Sequence, residues 1–202
     1  GCRFATAFHA LTRQSRLGAG EWLAVCGCGG VGLSAIVVGK ALGARVVAVD
    51  PSDPARARAL ELGADHALAT PDVDAIVELT GGGAHVSIDA LGSSVTASAS
   101  IRTLRRRGRH VQVGLMLADH ADAPLPWGPV ISKELEVVGS HGMAAADYPE
   151  LLAMVADGRL DVARLIGKVV TLDQAPAELA AMDNLVPASA GLVVATVGPS
   201  RR

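Results

Sequence analysis

Apolar positions along this chain fall into short aliphatic runs, separated by glycine-bearing turns and longer helical stretches. Residues 22–26 (Trp-Leu-Ala-Val-Cys) read as a strand, and a glycine-rich turn follows. The next segment, to Leu42, is apolar on nearly every side, as in a buried helix. Residues 45–50 are the second strand. Asp53 is expected to cap the next helix, with Pro54 in its first turn and Gly63 past its end. Residues 66–68 form a weak third strand, and Thr70-Pro71 opens another helix, with Asp72 and Asp74 near its positive end. Gly81-Gly82-Gly83 stops that helix. Strand four is expected over 85–90, a helix over 94–104, strand five over 109–115, and strand six over 135–139 after a loop holding Pro124, Pro126 and Pro129. Strict alternation of strand and helix predicts an α/β fold, a doubly wound six-stranded parallel sheet. After Gly142 the rhythm changes to an α+β tail, with helices over 147–157 and 176–182 and strands over 168–170 and 192–197.

Composition agrees with this pattern. Of 202 residues, half are apolar but only 2% aromatic, so the core must be aliphatic, as in buried parallel strands. Such a composition excludes a disordered chain. A net charge of −2 gives no general attraction to nucleic acid or anionic membrane. The densest basic cluster, Arg102, Arg105, Arg106, Arg107 and Arg109, is expected at a solvated helix end, with no aromatic residues interleaved to stack bases. Three cysteines are no disulfide framework, which points to a reducing cytoplasm. No signal peptide is apparent. The 18 uncharged residues from Trp22 to Gly39 approach the length of a membrane span, but five glycines interrupt them, and a strand, turn and helix explain them better. The chain starts at Gly1 on an apolar helix-like stretch, which reads as the middle of a longer protein.

The chemistry lies in Gly27-x-Gly29-x-x-Gly32, a dinucleotide fingerprint placed after a strand and at the start of a helix. Gly27 permits a tight turn, Gly29 leaves room for a pyrophosphate, and Gly32 allows close helix packing. The turn, with Gly30 and Val31, offers unpaired amides and a partial positive charge to that pyrophosphate. The sheet is thus of Rossmann type. Asp50 ends the second strand, 18 positions after Gly32, where its carboxylate can accept both hydroxyls of an adenosine ribose and repel a 2′-phosphate. The expected cofactor is NAD rather than NADP. Arg56 and Arg58 lie just beyond and can face the adenosine, although helix-surface charges are usually only solvated.

With these residues in view, the chain resembles the zinc-dependent alcohol dehydrogenases of the medium-chain dehydrogenase/reductase superfamily. The likeness runs from Gly1-Cys2-Arg3-Phe4-Ala5-Thr6 through the glycine turn, Leu62-Gly63-Ala64-Asp65-His66 and Ile88-Asp89-Ala90-Leu91-Gly92, to Gly108-Arg109-His110-Val111-Gln112-Val113-Gly114. It implies a cofactor domain over 1–143 and a segment over 144–202 that packs on a catalytic domain whose main body precedes this sequence. It implies that Cys2 is one ligand of a catalytic zinc whose other ligands lie in that domain. Thr6 would pack on the nicotinamide, Ala90 and Leu91 would lie along the nicotinamide ribose, and Val113 would meet the carboxamide through its backbone. In the intact enzyme zinc would stabilise an alkoxide and hydride would pass to the nicotinamide, between a small alcohol and its aldehyde or ketone. The isolated chain, with one ligand, is expected to be inactive. One departure is visible: some relatives carry a basic residue before the final strand, where this sequence has Ser189-Ala190-Gly191-Leu192. The resemblance also implies pairing of strand six across a twofold axis, hence a homodimer, and the apolar tail predicts self-association or a partner chain. Other readings are a non-catalytic NAD-binding module, a zinc-free quinone or enoyl reductase of the same superfamily, and a methyltransferase. Against the last stands the absence of an acid before the first glycine, where Ala24-Val25-Cys26 lie. Cys26 and Cys28 are expected to be small core thiols.

Overall fold

Eight strands and eight helices appear in the computed structural model, which describes residues 2–182 and 191–198. The chain opens with α1 (Cys2–His9), extended by a π-helical turn to Gln14. The α/β alternation follows: β1 (Trp22–Cys26), α2 (Gly30–Ala41), β2 (Arg45–Val49), α3 (Asp53–Glu61), β3 (His66–Leu68), α4 (Val73–Thr80), β4 (Ala84–Asp89), α5 (Ser94–Arg102), β5 (Leu104–Gln112), α6 (Trp127–Ser132) and β6 (Glu136–Gly139). All six strands are parallel, in the order β3-β2-β1-β4-β5-β6. The order reverses between β1 and β4, and ligands of such sheets bind outside the carboxyl ends of the strands at that switch. The uncharged run 22–39 divides into β1, the glycine turn and most of α2. Among the described residues no helix is long and apolar enough to cross a membrane.

Local differences from the sequence expectation have physical causes. Ser52, not Asp53, caps α3: Ser52 is extended and its hydroxyl accepts from the Ala55 amide at 3.4 Å, while Asp53 is already helical. Asp72 caps α4 by accepting from Ala75 N at 3.0 Å, so that helix starts after Thr70-Pro71. Helix α5 stops at Arg102, two residues short of expectation, and β5 begins at Leu104 rather than 109. Arg105, Arg106 and Arg107 therefore lie on a strand, not a helix end. Leu104 is fully buried and pairs with Ala84, while Arg107 takes a left-handed conformation (φ 60°) where the register with β4 shifts. The proline-bearing loop contains α6, which its Pro129 had concealed.

The tail folds as α7 (Tyr148–Ala156), β7 (Ile166–Thr171), α8 (Ala175–Ala181) and β8 (Leu192–Thr196), with β7 and β8 parallel. Leu151, Met154, Leu160 and Leu165 join the core formed by Phe4, Phe8, Leu23, Leu33 and Ile36, so one core runs across residue 143. Leu152, Val169, Leu179 and Met182 stay exposed. Of the expected basic-residue departure, Ser189 and Ala190 lie outside the described residues.

A buried polar chain threads the core between β4, α5 and β5. Gln112 Nε2 donates to Asp89 Oδ2 and to the Gly114 carbonyl, both at 2.9 Å, so its Oε1 accepts. That fixes the His110 tautomer: Nε2–H donates to Gln112 Oε1 at 3.1 Å, and Nδ1 accepts from the hydroxyls of Ser87 (3.1 Å) and Ser100 (3.3 Å). Burial holds the His110 pKa below its ordinary value, against the opposing bond from Gln112 and the charge of Asp89. The folded state therefore binds this proton less readily than the unfolded chain. Stability should be full above pH ~6.5 and fall as pH drops through the folded pKa, by at most about 1.4 kcal/mol per pH unit. Urea unfolding from pH 8 to pH 5 should show this decline, and His110→Gln should flatten it. Equal slopes in the two proteins would contradict the assignment.

Candidate functional site

The carboxyl ends of β1, β2 and β4 converge on the glycine turn. Gly27 takes φ +91°, a left-handed conformation that L side chains rarely adopt, and its amide donates to the Val49 carbonyl at 2.8 Å. A Cβ on Gly32 would be driven into the Gly27 carbonyl oxygen and lie 2.8 Å from the carbonyl carbon. Gly32 is thus required by the backbone of the turn itself, which lets α2 start directly behind it. At Gly29 a Cβ would meet nothing within 4 Å, so that side of the turn is open space. Gly29 is also the N-cap of α2 and supplies no side-chain cap. The first intrahelical bond is Leu33 N to Gly29 O, at 2.9 Å. The amides of Gly30, Val31 and Gly32 precede it and have no partner within the helix, as at every helix start. Open space, uncapped amides and the positive helix end together form a cradle that fits a pyrophosphate.

Asp50 stands just past the end of β2. Its Oδ2 accepts from Cys28 N at 2.7 Å and its Oδ1 from Ser52 N at 2.9 Å. These bonds tie the carboxylate to the glycine turn and fix its orientation. Each oxygen keeps a further acceptor site, since a carboxylate offers about four. Arg56 does not point freely outward. Its Nη1 donates to the Asp50 carbonyl at 2.7 Å, and its Nη2 pairs with Asp53.

Across the switch point, the Ala90-Leu91-Gly92 turn lies beside Gly27: a Cβ on Gly27 would stand 3.4 Å from Leu91 N. Ala90 N donates to the Cys26 carbonyl at 2.9 Å, and Leu91 is 62% exposed. The turn is held by Asp89, a fully buried residue to which the sequence alone assigns no role. Its Oδ1 accepts from Leu91 N at 2.9 Å and Gly92 N at 3.3 Å, while Oδ2 accepts from Gln112. Its carbonyl takes Val113 N at 3.1 Å and Gly114 N at 2.8 Å. An acid at the end of an apolar strand, followed by a glycine three residues on, was the available signal, since such side chains bond the backbone just ahead of them. With its amide so engaged, the backbone group that Val113 keeps for a ligand is its carbonyl.

Helix α1 brings a further set of residues. Thr6 is buried, and its Oγ1 lies 3.9 Å from the Sγ of Cys2, one turn earlier and exposed. Among the described residues no group of three or more His, Cys, Asp or Glu side chains is placed to hold a metal ion. Cys2 therefore stands without a ligand group around it, and the described residues do not fit a complete zinc site. Cys26 and Cys28 are buried. Burial, helped by the charge of Asp89, pushes the Cys26 thiol up to about 12. Burial, helped by Asp50, does the same for Cys28. Both are inert core thiols at neutral pH.

Known proteins are similar to this chain in sequence and fold. A family model described as zinc-binding dehydrogenase matches residues 30–157. Sorbitol dehydrogenase of Halalkalibacterium halodurans is 31% identical over 172 residues, covering 82% of this chain and 49% of that protein. An alcohol dehydrogenase of Geobacillus stearothermophilus is 35% identical over 162 residues, 79% of this chain and 46% of its own length. The crystal structure of 2R,3R-butanediol dehydrogenase from Bacillus subtilis superposes with a TM-score of 0.83 at 28% identity, over 97% of this chain and 56% of that one. The chain spans about half the length of the curated relatives it matches.

Proposed function

This chain belongs to the zinc-binding dehydrogenase family, and from that premise we propose that it is the NAD-binding portion of an oxidoreductase acting between a small alcohol and its aldehyde or ketone. The observation that carries the cofactor reading is the Asp50 carboxylate, fixed by Cys28 N and Ser52 N beside an open, uncapped glycine turn. In this reading Asp50 accepts the hydroxyls of the adenosine ribose. The amides of Gly30 and Val31 receive the pyrophosphate, with Gly29 leaving room for it. Ala90 and Leu91 line the nicotinamide ribose, and the Val113 carbonyl takes the carboxamide. Thr6 packs on the nicotinamide ring. NAD, when bound, supplies the hydride acceptor, and the protein supplies binding and orientation.

Cys2 would be one ligand of a catalytic zinc. A catalytic zinc site takes about three protein ligands, so the others would come from sequence outside these 202 residues or from another chain. The outer edge of β6, which no strand among the described residues pairs, and the exposed apolar side chains of the tail favour a homodimer or a partner chain. Three free cysteines suit a reducing cytoplasm.

Calorimetric titration with NAD, paired with an assay of NADH formation from primary and secondary alcohols in the presence of zinc, tests the reading. The expected result is NAD binding without turnover, and sedimentation of the same sample as a dimer. Absence of NAD binding would refute the cofactor assignment. Robust turnover by the chain alone would refute the claim that its zinc ligands lie elsewhere.

A further inference from the structure

We propose that Arg3 is the side chain that receives the pyrophosphate of the dinucleotide, an inference that rests on the NAD-binding reading above. Arg3 lies on α1, far in sequence from the glycine turn, yet its side chain rests directly on Gly30, the first residue of α2. A Cβ on Gly30 would overlap Arg3 Cδ, lie 2.8 Å from Nη1 and 3.2 Å from Nε. Gly30 therefore admits the guanidinium to the start of α2, where the amides of Gly30, Val31 and Gly32 have no helical partner.

Charge sets Arg3 apart from Arg56. Arg56 is engaged by the Asp50 carbonyl and by Asp53. Among the described residues no carboxylate lies within 4.0 Å of the Arg3 guanidinium, and the side chain is exposed. An arginine left without a carboxylate, resting on the positive end of a helix, is electrostatically unfavourable until an anion arrives. Two phosphates bridging the amides and the guanidinium would relieve that repulsion and gain charge-assisted, bidentate hydrogen bonds. Arg3 is also three residues before Thr6 and one after Cys2. One end of α1 would then present the residues for metal, phosphate and nicotinamide together.

The alternative is a packing role, in which the aliphatic stem merely covers Gly30. Arg3→Met keeps the stem and removes the charge, and Arg3→Lys keeps the charge and removes the fork. NAD, ADP and adenosine would be titrated into the whole chain and both variants by calorimetry, with thermal melts as a folding control. Arg3→Met should weaken NAD and ADP by roughly ten- to hundredfold while leaving adenosine affinity and the melt unchanged. Arg3→Lys should recover part of the loss. Unchanged NAD affinity in Arg3→Met, or an equal loss for adenosine, would overturn the role of Arg3 and leave the cofactor reading standing. Failure of the unmodified chain to bind NAD or ADP would overturn both.

Discussion

Gly32→Ala is expected to weaken NAD binding by more than about a hundredfold and to destabilise the fold, while Gly29→Ala should affect binding alone. The two glycines sit three residues apart in one turn but face different surroundings. At position 32 a Cβ would be driven into the Gly27 carbonyl oxygen and lie 2.8 Å from its carbonyl carbon. That obstacle is backbone, not the end of a flexible side chain. The turn must open or α2 must shift, and overpacking of this kind costs about 1–3 kcal/mol or more. Gly27 and the Asp50 bond to Cys28 N would move with it, so the cradle is lost along with stability. At position 29 a Cβ would meet nothing within 4 Å. A methyl group there leaves the folded chain untouched and occupies the space assigned to the pyrophosphate. Thermal melts and NAD titration of the two variants separate these effects. NAD affinity unchanged in Gly29→Ala would mean that the pyrophosphate does not approach this turn.

Asp50→Ala should erase the discrimination between NAD and NADP. The unmodified chain is expected to favour NAD, because a 2′-phosphate near the Asp50 carboxylate meets a repulsion of about 4 kcal/mol at ~4 Å and an effective dielectric of ~20. Salt screening reduces this, so the ratio of the two dissociation constants should fall by roughly 10- to 100-fold on substitution. The ratio is the informative quantity. Removing the carboxylate also frees Cys28 N and Ser52 N, which loosens the turn for both cofactors alike. Titrating each cofactor into each protein gives the ratio directly. A preference for NADP in the unmodified chain, or an unchanged ratio in the variant, would exclude Asp50 as the selecting group.

Much of this site was legible along the chain because it is built from contiguous signals. Gly27, Gly29 and Gly32 sit between an apolar run and a helical segment, and Asp50 follows the next apolar run. These are local relations: a turn conformation, a helix start and a strand end. Asp89 shows where such reading stops. Its place after an apolar strand was visible, but its hold on both the Leu91 turn and the loop after β5 depends on β4 and β5 being paired. The arginines at 105–107 show the same limit from the other side. Three consecutive charges look like a solvated helix end, yet Leu104 and Arg109 on either side of them pair with β4, so they fall on a strand whose first residue, Leu104, is buried.

Alternating apolar runs and turn residues determined the identity and succession of strands, helices and the glycine turn, and with them the α/β class, because each of these signals is carried by residues a few positions apart, even though the strands themselves pair over longer separations. Tertiary structure alone decided three things. It placed Arg3 against Gly30, carried Leu151, Met154, Leu160 and Leu165 of the tail into the main core, and oriented Asp50 through the Cys28 amide. These features join segments tens of residues apart, and hydrophobic patterning specifies which face of each segment is buried but not which segment lies against it.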